Sequence, residues 1–350
     1  MKKLILIILI VLPNFLVAQL VNDFRVNDDT SNYFQGNARL GADKFGNFVI
    51  VWHDERRSGH GNIYCQRFDN LANRIGNNFR INSVIDTASI PMIAVRKDGS
   101  LGVCWYETNS TIPNRERIKF KLFDKFGLPI SNEIILKDTI PMTSMKFSVD
   151  TDTSGKFVSV INYNGDIFFQ RIDKYGNKIG NHVKVNDDTG AYGQGYPEIT
   201  VIQDGSFIIC WQDARPPVPH PHADDIFMQM FDSSGNKIGV NIWVNDVIYI
   251  EDEEFEPYIS SDTSGAFCIG FSRWNFIPGN CNAVLQLFDK NGNKIGNNVN
   301  VVNNVDAIVK VLSKRDNGEM IIGYRYNSGI ITRGYGQRRK ANAIRIGNIL

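Results

Sequence analysis

An apolar run that ends in polar residues recurs six times along the chain. The copies are FVIVWHDER at 48–56, LGVCWYE at 101–107, FVSVIN at 157–162, FIICWQDAR at 207–215, FCIGFSR at 267–273 and MIIGYR at 320–325. Their spacing of roughly 50–60 residues is that of blades in a ring and is longer than most helical repeats. The run shows no polar alternation, which requires burial on both faces. Each copy is bounded by turn signals rich in Gly, Asn and Asp, such as Asp98-Gly99, Asp204-Gly205 and the pattern FDxxGNxIG at 231–239 and 288–296. Glycine supplies the positive φ of a tight hairpin, and Asp bonds its own backbone. No stretch after the first residues reads as a helix of usable length.

The pattern therefore predicts an all-β fold, a six-bladed β-propeller of four-stranded antiparallel blades. The repeats run approximately 28–83, 84–137, 138–187, 188–245, 246–302 and 303–350 plus 22–27. The last assignment rests on Asn22–Asp29, which matches Asn181–Asp188 at the end of the third copy. This predicts that the N-terminal strand closes the ring by completing the last blade, so that no edge stays open.

Residues 1–18 read as a signal peptide: Lys2 and Lys3, an apolar run from Leu4, and Leu16-Val17-Ala18 before Gln19. The expected mature unit is a single domain, 19–350, that is secreted, periplasmic or on the cell surface, with no transmembrane segment after signal removal. Formal net charge is +1, so nucleic acid is not an expected partner. Five cysteines are an odd number for an exported chain. Cys104 and Cys210 are expected as core thiols, and Cys268 and Cys281 as the one pair that could bridge.

Candidate function lies on the rim formed by the connections between second and third strands and between blades, because these vary most. Two repeats share a cluster there: Asp54, Arg56 and Gln35 match Asp213, Arg215 and Gln194. The cluster suits a polar ligand such as a sugar or an acidic side chain; equally, it can tie blade to blade. Trp274 is the tryptophan placed to stack on a sugar. No cofactor is expected. Calcium at 150–155 lacks its closing Glu, and zinc would rest on His220, His222 and Asp224.

The repeat resembles secreted bacterial β-propellers of the sialidase-like, Asp-box group. Ser260, Asp262, Gly265 and Phe267 approach the Asp box with one extra residue, while Phe24–Asn27 and Phe79–Asn82 mimic the sialidase Phe/Tyr-Arg-Ile-Pro motif without its proline. The leading expectation is a non-enzymatic module that binds a polysaccharide or protein ligand outside the cytoplasm through the variable rim. The second is a sialidase-like glycoside hydrolase using rim carboxylates among Asp54, Glu107, Asp213 and Asp224. A third is a structural part of a cell-surface assembly.

Overall fold

The computed structural model describes residues 24–56, 60–83, 86–108, 116–138, 146–190, 192–215, 224–246, 252–275, 279–302, 307–316, 318–328, 331–339 and 345–349, with backbone alone from 326 onward. Six four-stranded antiparallel sheets follow one another: 35–80, 87–138, 147–184, 194–243, 253–302 and 307–349. They are blades 1 to 6 of a propeller, and among the described residues there is no helix. The first strands of successive blades touch, which makes them the innermost and sets them around a central channel. The signal-peptide expectation falls outside the described residues.

Turn chemistry explains why the hairpins repeat so faithfully. In blade 4, Asp232 Oδ1 accepts the backbone N–H groups of Ser234 and Asn236 at 2.9 and 2.8 Å. Its Oδ2 accepts the Asn236 amide at 2.8 Å, and Gly235 takes φ +84°. One carboxylate thus organises the whole turn, which only Gly at that φ enters without strain. Asp152 does the same at 152–156, where Ser154 and the Lys156 N–H bond it. The sequence candidate for a calcium loop is therefore occupied by its own turn.

Apolar second strands pack between neighbouring blades. One cluster joins blades 3 and 4 through Val158, Phe169, Phe207, Trp211 and Phe231. Within blades, the residue that opens the second strand stacks on the residue that closes the third: Phe48 on Phe68, Phe207 on Phe231 and Phe267 on Phe288, with ring centroids 4.7–4.9 Å apart. All five cysteines are buried and none is in a disulfide. Cys268 lies opposite Leu287 and Cys281 opposite Trp274, far beyond bridging reach along the pair.

A buried polar staple ties blades together. In blade 4, Gln229 accepts from Asn241 Nδ2 at 2.7 Å. Asn241 Oδ1 accepts the backbone N–H of Asp187, at the end of blade 3, at 2.9 Å and Arg215 at 3.2 Å. Arg215 reaches Asp187 at 2.6 Å and the fully buried Asp213 at 2.7 Å. Blade 1 repeats the arrangement with Gln66, Asn78, Asp28, Arg56 and Asp54, and blade 5 with Gln286, Asn298, Asp246 and Arg273.

Asp28 thus sits against blade 1 as Asp187 sits against blade 4, and Phe24 rests on Phe68 at 5.2 Å. The N-terminal segment nevertheless does not complete the last sheet. Its fourth strand is Arg345–Ile349, paired with Ile331–Arg339. The sequence reading gave residues 303–350 only three strands, because 331–339 lacks the apolar run and the FDxxG turn that mark third strands elsewhere. Enough chain remains for blade 6 to supply its own outer strand.

Removing Arg215 strands a fully buried carboxylate, a change worth about 3–5 kcal/mol. Arg215→Ala is therefore expected to lower the urea midpoint sharply. Asn241→Ala, which leaves one acceptor and one N–H unmatched, should cost about 1–3 kcal/mol.

Candidate active site

Irregularity in the innermost strands decides what the channel presents. Four of them carry a non-glycine residue in the left-handed region near their start: Asn37, Ile90, Tyr196 and Glu256, with φ of +48° to +53°. Pairing with the second strand shifts at each of these points. Proline follows in three of the four, as Pro91, Pro197 and Pro257. A bulge of this kind bends the strand and re-aims the side chains after it. Such backbone costs on the order of 1–3 kcal/mol per residue and persists where surrounding structure imposes it.

Two residues beyond each bulge residue stand Arg39, Met92, Glu198 and Tyr258; Ser148 holds the matching place in blade 3. Met92 packs on the apolar core of blades 2 and 3, and the other four act on one another. Ser148 donates to Glu198 Oε2 at 2.7 Å across the boundary of blades 3 and 4. Burial pushes the Glu198 carboxyl up to about 7; the neighbouring Asp150 adds to the rise, and Ser148, Arg39 and Lys146 oppose it. Arg39 comes from blade 1, on the far side of the ring, so its field at Glu198 is felt across the channel. The Asp150 carboxyl is itself raised by burial to about 6, although it accepts the Val201 N–H at 2.7 Å.

Around this pair lie two tyrosines and a second carboxylate. Burial raises the Tyr258 hydroxyl to about 12, with Glu198 and Glu256 adding to it. Tyr196 is raised by burial and then by Glu256 and Asp224. Lys146 lies over the Tyr196 ring at 4.5 Å. Glu256 pairs with Lys310 of blade 6. The channel wall therefore holds a carboxyl that keeps its proton near neutrality, a second carboxylate paired with an ammonium group, and two tyrosine hydroxyls.

The sequence candidates lie elsewhere or have other partners. Asp54 accepts Trp52 Nε1 at 2.8 Å and Arg56 at 2.8 Å; Asp213 accepts Trp211 Nε1 at 2.8 Å and Arg215 at 2.7 Å. Gln35 bonds Asp29 and Asn27, and Gln194 bonds Asn186 and Asp213. These are two separate sets: the first ties the N-terminal segment to blade 1 and the second ties blade 3 to blade 4. Trp274 is partly exposed at the end of its strand, opposite Glu253. Glu107 is buried between Arg117 and Lys119. Of the rim carboxylates only Asp224 reaches the channel cluster, through its effect on Tyr196 and a bond from Gln212. His220 and His222 lie outside the described residues, and among the described residues no group of three metal-binding side chains gathers.

Glu198, Tyr196, Tyr258 and Arg39 were not singled out from sequence. Their signal is the repeated IPMIA, YPEIT and EPYIS at 90–94, 196–200 and 256–260: a proline at a fixed strand position, flanked by residues that change chemistry from blade to blade.

No protein-family model and no curated protein matches the chain. Solved structures do. A protein of unknown function from Dyadobacter fermentans has a TM-score of 0.58 at 9% identity, over 89% of this chain and 96% of that one. The GH93 alpha-L-arabinofuranosidase of Fusarium graminearum has 0.47 at 11% identity, over 71% and 80%. The endo-arabinase from Bacteroides thetaiotaomicron has 0.40 at 15%, over 67% and 88%. At these identities the likeness is one of fold. The leading expectation of a non-enzymatic module binding through the variable rim is corrected by the site itself. The residues assigned to binding bond one another, whereas the titrating groups gather in the channel.

Because the folded Glu198 carboxyl titrates above its unfolded value, its proton supports the fold below pH of about 4.5. That contribution is lost as pH rises through about 7. Glu198→Gln should therefore raise the melting temperature at pH 8, by roughly 2–5 °C, and leave it nearly unchanged at pH 4. Equal shifts at both pH values would show that the carboxyl is not held protonated.

Proposed function

We propose that the chain is a glycoside hydrolase that works inside the propeller channel. The observation that carries this reading is Glu198, a carboxyl raised to about 7 and set among Arg39, Lys146 and Ser148. Glycosidic bonds are cut by a carboxylic acid that protonates the leaving oxygen and a second carboxylate that supplies or activates the nucleophile. Glu198 is suited to the first role because its proton is present at neutral pH and its anion would be met by two cations. Glu256, beside Lys310 and Tyr196, is suited to the second. The tyrosine hydroxyls provide donors toward sugar oxygens, and Lys146 lies over the Tyr196 ring.

The sialidase-like refinement has less behind it. Phe24–Asn27 lies against blade 1 and Phe79–Asn82 ends its outer strand region, both as parts of blade packing. The charged and apolar start of the chain supports action outside the cytoplasm, on an extracellular or periplasmic glycan.

Hydrolysis of a panel of neutral and acidic polysaccharides, followed by reducing-end release, tests the reading. The wild-type rate should fall on the alkaline side with a midpoint near 7, because the acid must carry its proton. Glu198→Gln and Glu256→Gln should each lower kcat/KM at least about a hundredfold. A Glu198→Gln enzyme that keeps full activity and the same pH profile would sink the assignment.

A further inference from the structure

On the rim opposite the variable connections, the tight turns of blades 1, 2 and 3 enclose a hollow of about 700 Å³. Five cationic side chains line it, Lys44, Arg96, Lys97, Lys125 and Lys174, against a single carboxylate, Asp98. Asp98 is engaged by the Ser100 N–H and hydroxyl at 2.9 and 2.6 Å. Among the described residues, none of the four lysines has a carboxylate within 4 Å, whereas Lys119, Lys294 and Lys314 are all paired. Unpaired ammonium groups drawn together in a concavity repel one another and raise the local concentration of anions.

The floor is rigid and the edges are aromatic. Arg96 is fixed by the Gly155 carbonyl and lies over the Phe157 ring at 4.6 Å. Phe45 and Tyr175 project from their turns, 61% and 62% exposed. Lys44 and Lys174 stand over these rings at 4.8 and 5.0 Å. Thr153 and Ser154 also line it, their hydroxyls donating to the Gln203 carbonyl and to Asp152. The turn sequences DKFGN, DKFGL and DKYGN at 43–47, 124–128 and 173–177 bring this chemistry to three adjacent blades. The first of these joins the first and second strands of blade 1 and the other two join third and fourth strands, whose counterparts in blades 4 and 5 are DSSGN and DKNGN, without the ring.

We propose that this groove binds an acidic polysaccharide, a chain of sugar rings bearing carboxylate or sulfate groups. Rings on the edges offer stacking platforms for sugar faces, and ammonium groups between them meet the repeated charge. Concavity and side-by-side spacing across three blades suit an extended polymer rather than a flat lipid surface. The proposal is independent of the channel reading, since the two sites lie on opposite rims and share no residue.

Affinity electrophoresis of the full chain in gels containing polygalacturonate, dextran sulfate or neutral dextran tests it, with flotation on phosphatidylserine vesicles in parallel. Retardation is expected in at least one acidic gel and not in neutral dextran, and it should weaken as salt is raised. Lys125→Glu combined with Lys174→Glu should weaken it about tenfold or more. Lys290→Glu, the same charge change at the corresponding turn of blade 5, should leave it unchanged. Retention that responds equally to both charge changes would reduce the effect to net charge and overturn the site. So would binding to vesicles alone, or no retardation in either acidic gel.

Discussion

The connection from one blade to the next depends on a carboxylate that cannot be left alone. Asp213 and Asp54 are fully buried, and each is neutralised by an arginine two residues further on. In blade 4 that arginine is shared with Asp187 at the end of blade 3, and in blade 1 with Asp28 of the N-terminal segment, so the charge that stabilises the interior also grips the chain outside the blade. A hydrophobic interface resists separation but sets no register. The Gln–Asn–Asp–Arg chain adds a fixed angular position, because each donor meets one acceptor. Blade 3 shows the alternative. Ile161, Gly165 and His182 stand where Trp, Arg and Asn stand in blade 4, and a hollow of about 80 Å³ is lined by Lys137, Tyr163 and His182.

With the outer parts of the blades locked in this way, irregular backbone can be carried at the centre. Tyr196 and Glu256 hold positive φ without being glycine, next to prolines that remove a ladder donor. These are the positions from which Glu198 and Tyr258 enter the channel. Strain, burial and mixed charge coincide there, the setting in which perturbed carboxyls gather at functional sites. On the outer strands the same residue types make plain turns and ladders.

The fold was legible because it is written six times. An Asp that organises a hairpin and a Phe that stacks across strands must recur wherever the hairpin recurs, so repetition exposes them. The site was hidden for the same reason. Asp54-x-Arg56 and Asp213-x-Arg215 stood out as a polar pair seen twice, yet recurrence in step with the blades marked them as architecture. Glu198, Tyr258, Arg39 and Ser148 share one strand position but not one chemistry, so no pattern of residue identity joins them; only their convergence in space does. The end of the ring misled for a different cause. Asn22–Asp29 matches a fourth strand because it meets blade 1 as one would, through Asp28 and Asn78. That local match was extended to the last sheet, where Arg345–Ile349 already holds the place.

Division of labour between rims follows from the hairpin geometry. Loops that must stay short keep Asp and Gly for the backbone, leaving only the two central residues of each turn free to vary. At 43–47, 124–128 and 173–177 those residues are Lys with Phe or Tyr, and the outcome is a basic, ring-edged hollow made from the least variable part of the repeat. The channel instead draws its chemistry from one residue per inner strand, so each blade contributes a different group to a single small volume. A propeller can in this way carry two sites of unlike charge without either disturbing the other. The field of Lys44, Lys125 and Lys174 is separated from Glu198 by the length of the inner strands and screened by solvent beyond about 10 Å.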